Sequence, residues 1–271
     1  MHNYFKDKVI WITGASSGYG EALAHAFAKQ GAKLILSARN TEKLTQLATQ
    51  LATQLNNCRV LTLDLSQPDT FYDKTQQAIT LFGHIDLVIH NGAIAQGTTI
   101  FETPPHVARQ IMEVDYFSYT ELTQHLLPHF IERNTGHIVV ISGIMANLGM
   151  PKRTTYAAAK AALEAYFHCL RIELFLAKYN IDITILVPGA MQTYFASKAL
   201  NSDGSSMSGN VLNEQGCPVD VVAEQSLQAI ANKEYESYVG NKDEFFMLFT
   251  LSQANPSLGT ELLLKKLTMK G

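Results

Sequence analysis

Apolar positions along the first two thirds of the chain alternate between two patterns. Runs that are apolar on consecutive residues, such as Ile138-Val139-Val140-Ile141, read as strands covered on both faces of a parallel sheet. The pattern predicts strands at Val9–Thr13, Lys33–Ala38, Arg59–Asp64, Leu87–His90, His137–Ser142 and Asp182–Val187, with a last one at Ser237–Val239. Between them, apolar residues recur at helical spacing near 20–30, 41–56, 69–82, 105–133, 155–179 and 219–232. The repeated LATQ at 47–54 fits an amphipathic helix with Leu and Ala turned inward. Right-handed crossovers joining such units give a doubly wound α/β sheet, with its site at the carboxyl ends of the strands. Residues 1–271 are expected to form one domain. A polar, Gly/Ser-rich stretch at 201–217 is long for a plain connection, so the region 190–217 is read as a substrate lid. The apolar segment Glu244–Leu251 stays open between lining the substrate pocket, burying a subunit interface and meeting a membrane surface.

Composition narrows the classes. Of 271 residues, 46% are hydrophobic and 17% charged, ordinary for a globular protein with an ample core. A net charge of −3 offers no electrostatic footprint for nucleic acid or an anionic membrane. No apolar run reaches the roughly 18 residues that span a bilayer, and Met1–Lys8 lacks a signal-peptide pattern. Cys58, Cys169 and Cys217 lie far apart without metal-ligand spacing and read as free thiols, so a cytoplasmic setting is expected. His125, His129 and His137 have no matched ligands, and no metal is expected.

Candidate chemistry begins at Thr13-Gly14-Ala15-Ser16-Ser17-Gly18-Tyr19-Gly20, where a strand enters a glycine turn and an apolar helix (Ala22, Leu23, Ala26, Phe27) follows. Glycines let the backbone turn tightly and approach a pyrophosphate, whose charge the helix N-terminus receives. The second constellation is Tyr156-Ala157-Ala158-Ala159-Lys160, a phenol and an ammonium one helical turn apart. A nearby cation favours the phenolate and brings a tyrosine toward the range of proton transfer to a carbonyl oxygen.

With Asp64-Leu65, Asn91-Gly92-Ala93 and Pro188-Gly189-x-x-x-Thr193 in order between and after these motifs, the chain resembles the short-chain dehydrogenase/reductase family over roughly residues 6–195. The resemblance implies a Rossmann-type parallel sheet of about seven strands and a homodimer or homotetramer. It implies Tyr156 and Lys160 as catalytic and cofactor-binding residues. The dinucleotide cleft it implies comprises Gly14, Ser16, Ser17, Gly18, Tyr19, Gly20, Arg39, Asp64, Leu65, Asn91, Gly92, Pro188, Gly189 and Thr193. Where NAD-using relatives carry an acidic residue, this chain has Ala38 followed by Arg39, with Ser37 beside it. An arginine can hold a 2′-phosphate, which favours NADP(H) over NAD(H).

Two positions depart from the family pattern. The family Ser is replaced by Gly143, thirteen residues before Tyr156, and the adjacent Ser142 is the hydroxyl retained as a candidate, although strand neighbours point to opposite faces. The family Asn is replaced by Asp115, which takes the proton-relay position and adds negative charge near Lys160. Thr154 and Thr155 read as helix-capping residues, and His90 as a packing residue at least as much as a ribose contact. The expected function is NADP(H)-dependent reduction of a ketone or aldehyde of a hydrophobic substrate, or the reverse oxidation, with activity weakened by Gly143 and Asp115. The alternative is a dinucleotide-binding sensor or scaffold with little catalysis.

Overall fold

A computed structural model describes residues 4–51, 57–209 and 211–268. Seven strands run parallel in the order β3-β2-β1-β4-β5-β6-β7: β1 (Val9–Thr13), β2 (Lys33–Ala38), β3 (Cys58–Thr62), β4 (Leu87–His90), β5 (Gly136–Ile141), β6 (Ile181–Pro188) and β7 (Glu236–Val239). Side chains alternate across the sheet, so each strand feeds two cores. Ile10 and Ile12 of β1 enter one core, which is closed by α1 (Gly18–Lys29), α2 (Thr41–Leu51) and α7 (Val219–Ala231). Val9 and Trp11 enter the other, closed by α3 (Phe71–Phe82), α5 (Ser118–Arg133) and α6 (Thr154–Leu176). Both faces being covered is why these strands are apolar on consecutive positions. Each fully buried Ile or Leu contributes about 1.5–3 kcal/mol of burial.

Strand order reverses between β1 and β4, and the crevice at their carboxyl ends is where α/β sheets hold ligands. The expected helix at 41–56 is described to Leu51, with Leu44 and Leu47 inward, while 52–56 lie outside the described residues. The expected helix at 105–133 is corrected to three pieces: α4 (Pro105–Met112), a π turn at Glu113–Phe117, and α5. That widened turn carries Asp115 into the interior.

The apolar C-terminal segment forms α8 (Glu244–Ala254), followed by α9 (Pro256–Thr268). Leu248 and Leu263 pack on Leu148 and Met150, so this hairpin braces the connection after β5. The connection after β6 is pinned at several points. Leu200 pairs with Gln96, Met191 pairs with Cys217, and a 3-10 turn at Ala196–Lys198 lies between. No described helix is long and apolar enough to cross a membrane.

Candidate active site

The glycine turn is built by close backbone approach. Asn91 Nδ2 donates to the carbonyls of Thr13 (2.9 Å) and Gly14 (3.2 Å), while Thr13 Oγ1 accepts from the backbone N–H of Asn91 (3.0 Å) and Gly92 (3.2 Å). A β-carbon at Gly14 would stand 2.5 Å from Gly92 Cα, and Gly14 has φ +66°. One at Gly20 would collide with the Gly14 carbonyl, and one at Gly92 would meet Leu65 Cδ1 at 2.6 Å. Ser17 is the N-cap of α1 but makes no side-chain cap bond, which leaves the first helical N–H groups without a capping side chain. An open glycine cradle against an uncapped helix end fits a pyrophosphate.

Two expected contacts are redirected. Tyr19 turns its ring into the core, where its hydroxyl pairs with Ser226 at 2.5 Å, so its backbone alone is left to face the cradle. The Asn91 amide is engaged by the turn and shapes the cradle from below. Around the rim, Ser16 is half-buried, and Ser17 and Arg39 are exposed. Asp64 holds its own turn through the N–H and hydroxyl of Ser66. Pro188 ends β6, Gly189 abuts Tyr238, and the Thr193 methyl comes within 3.6 Å of a β-carbon built on Gly18. Ser37 is withdrawn from this rim: it is buried and its Oγ accepts the Trp11 indole N–H at 2.9 Å.

The second constellation lies on the other side of the crevice. Lys160 is 1% exposed, and its ammonium donates to the Ile141 carbonyl at 3.1 Å. Asp115 is 0% exposed; Oδ1 accepts the Ile94 N–H at 2.9 Å, and Oδ2 stands 3.8 Å from Lys160 Nζ, beyond hydrogen-bond reach. Burial pushes the Asp115 carboxyl up to about 6, against the pull of Lys160 and the Ile94 N–H. Burial lowers Lys160, and Asp115 and Glu164 draw it back up. Tyr156 is raised by burial and by Asp115, with Arg153 opposing. This direction is opposite to the push toward the phenolate expected from Lys160, whose ammonium lies 5.7 Å from the Tyr156 ring centroid.

The retained hydroxyl is corrected as well. Ser142 Oγ donates to Glu164 at 2.5 Å inside the core, so its hydroxyl is engaged there and not at Tyr156. Gly143 stands where a hydroxyl would serve: its β-carbon would lie 3.7 Å from the Tyr156 hydroxyl and 4.0 Å from the Pro188 carbonyl. Thr154 and Thr155 do not cap α6, whose N-cap is Arg153. The buried Gln96 does so instead, accepting the Thr155 N–H at 2.8 Å and bonding the Thr154 hydroxyl through its amide. His90 is a core residue, stacked on Tyr119 with centroids 5.0 Å apart and paired with Thr123, and burial lowers it to about 3. Among the described residues no cluster of His, Cys, Asp and Glu is able to hold a metal.

The family model for short chain dehydrogenase matches residues 8–203. The dehydrogenase/reductase SDR family member 7B of Bos taurus is 36% identical over 244 residues, covering 86% of this chain and 74% of that protein. The chain is a short-chain dehydrogenase/reductase. The SDR family protein 7-like of Drosophila melanogaster is 35% identical over 247 residues, covering 89% of this chain and 75% of that protein. Among solved structures, a short-chain dehydrogenase from Streptomyces avermitilis superposes with TM-score 0.79 at 26% identity over 98% of both chains. One from Sphingobium yanoikuyae, solved with NADPH, gives 0.73 at 24% identity over 85% of this chain and 87% of that one. One from Burkholderia phymatum, solved with NAD, gives 0.76 at 21% identity over 87% and 89%. As a short-chain dehydrogenase/reductase the chain is an oxidoreductase with the Rossmann-type sheet of its family.

Proposed function

We propose that this oxidoreductase uses NADP(H) to reduce the carbonyl of a hydrophobic ketone or aldehyde. The observation that carries the reading is the half-buried Tyr156 one helical turn before the buried Lys160 on α6, on the same sheet as the glycine cradle. When bound, a nicotinamide dinucleotide supplies the hydride. The residues that would hold it are the cradle of Gly14, Ser16, Ser17, Gly18 and Gly20, with Arg39 exposed for a 2′-phosphate and Pro188, Gly189 and Thr193 along the opposite wall. Solved relatives carry either NAD or NADP, and the absence of a carboxylate at Ala38 supports the phosphorylated form.

Tyr156 donates its proton to the substrate oxygen, the acid role of the reductive direction. Lys160 stands behind it, and Asp115 occupies the end of the proton path. Leu200, Val107 and Ile111 form the buried cluster against which Tyr156 packs, and the phenol ring lies 5.9 Å from that of Phe195, which supports an apolar substrate. The lack of a hydroxyl at Gly143 makes the reaction slow, since one oxyanion donor is worth about 10²–10³ in rate. The reading extends to a cytoplasmic homodimer or homotetramer, supported by three free cysteines and by the exposed Ile172 and Phe175 on α6.

NADPH oxidation over a panel of ketones and aldehydes tests the proposal, with Tyr156→Phe as control. Turnover that vanishes in Tyr156→Phe while NADPH binding persists is expected. Binding with no turnover across the panel favours the sensor or scaffold reading instead.

A further inference from the structure

Glu164 lies one helical turn beyond Lys160 on α6 and is 8% exposed. A carboxylate this deep requires partners, and both of its oxygens have one. Oε1 accepts the Ser142 hydroxyl at 2.5 Å, and Oε2 accepts the Asn147 amide at 3.0 Å. Ser142 immediately follows Ile141, whose carbonyl takes the Lys160 ammonium. Asn147 closes the 3-10 turn Ile144–Ala146, so Gly143 sits between the two anchored residues. Glu164 thus joins the end of β5, the loop after it and the helix bearing Tyr156 and Lys160.

Its charge faces the same ammonium. Lys160 meets Asp115 from the π turn at 3.8 Å, the Tyr119 ring at 5.1 Å and the Tyr156 ring at 5.7 Å; its second carboxylate influence is Glu164. Glu164 itself meets Lys160 on its own helix, Ser142 and Asn147 from β5 and its loop, and the like charge of Glu236 on β7. Two acidic side chains therefore serve one buried ammonium, and only Glu164 is also a structural anchor.

We propose that Glu164 is a positioning residue of the carbonyl-reducing site, holding the 143–149 loop opposite the Tyr156 hydroxyl and sharing with Asp115 the balance of the Lys160 charge. This rests on the reductase reading for its catalytic consequence, so the test includes a readout that needs no substrate. Side-chain resonances of isotope-labelled lysine, with Lys160 assigned by a Lys160→Arg variant, are followed against pH in the full chain, beside NADPH turnover.

In Glu164→Gln one acceptor oxygen is kept for the Asn147 amide, the new NH2 donates to the Ser142 hydroxyl, and the charge is lost. Lys160 is expected to release its proton about one pH unit lower. The alkaline limb of turnover moves with it, while KM stays within about twofold. Asn147→Ala keeps the charge and frees the loop, so Lys160 titrates as in the unmodified protein while KM rises. A Lys160 titration unchanged in Glu164→Gln overturns the proposal, as does an Asn147→Ala variant with unchanged KM. A Lys160 shift with no turnover in any form supports the charge role of Glu164 and removes the reductase reading alone.

Discussion

The Asp115 carboxylate and the Lys160 ammonium stand 3.8 Å apart with neither side chain reaching solvent. Burial wins at the acid, which titrates near 6 in the folded protein against 3.8 as its ordinary value. Between those two values the native state keeps a proton that the unfolded chain releases. Stability therefore falls as pH rises across that window, the reverse of a carboxylate whose pKa is depressed by folding. Asp115→Asn carries no such proton. Thermal unfolding of both proteins against pH is expected to show the Asn variant gaining on the native one from about pH 4 to about pH 6 and holding level above. A difference that stays flat through the window would show that Asp115 is ionised throughout.

Gly143→Ser is expected to accelerate carbonyl reduction. Its backbone has φ 169°, extended and open to any residue, and a β-carbon there would sit 3.7 Å from the Tyr156 hydroxyl without a closer contact. The new hydroxyl adds one donor beside the developing oxyanion, worth about 10²–10³ in kcat with KM little changed. Steady-state kinetics on any substrate from the panel measures it. An unchanged kcat would mean that some other group already supplies that hydrogen bond.

How far the site was legible in the chain follows from what each feature demands of its neighbours. Strands apolar on both faces announce themselves, as Ile138–Ile141 does, and the glycine turn and the Tyr156–Lys160 spacing are local patterns. Strand alternation already set Ser142 against Gly143, and the structure turns the hydroxyl to Glu164. Tyr19 was readable too, since it precedes Ala22, Leu23 and Ala26 on the buried face of α1. The π turn leaves no such mark: an extra residue in one turn hardly disturbs a helical period. Gln96 capping a helix whose first residues lie 58 and 59 positions away has no local signature at all. The Glu164 anchor is of the same kind, because its donors come from another strand and loop.

Arg39 is exposed at the end of β2, where no carboxylate opposes a phosphate. Replacing it with Ala removes a charge-assisted contact to a 2′-phosphate and nothing that NADH would need. NADPH affinity is expected to fall about 10–100-fold with NADH affinity unchanged, as read by fluorescence titration of each nucleotide. Equal losses for both would place Arg39 at the ribose or pyrophosphate, and no loss would leave it a solvated surface residue.

Gln96 joins two segments that must meet for the phenol to be placed. Its Oε1 takes the Thr155 N–H at 2.8 Å, and its amide donates to Thr98 O at 2.9 Å, Thr103 at 3.0 Å and Thr154 at 3.1 Å, all with the residue itself fully buried. Its backbone carbonyl also receives Arg153, the one cation that opposes the rise of the Tyr156 pKa. Gln96→Met keeps the volume and deletes the polar end, so the half-buried Thr98, Thr103 and Thr155 and the exposed Thr154 lose these hydrogen bonds. Each such hydrogen bond is worth about 0.5–1.5 kcal/mol net, and a loss on the order of 1–3 kcal/mol in unfolding free energy is expected from denaturant titration. Because Tyr156 directly follows the capped Thr155, kcat should fall while NADPH affinity holds, since the glycine cradle makes no contact with this cap. A variant as stable as the native chain, with kcat intact, would show that α6 keeps its register without Gln96.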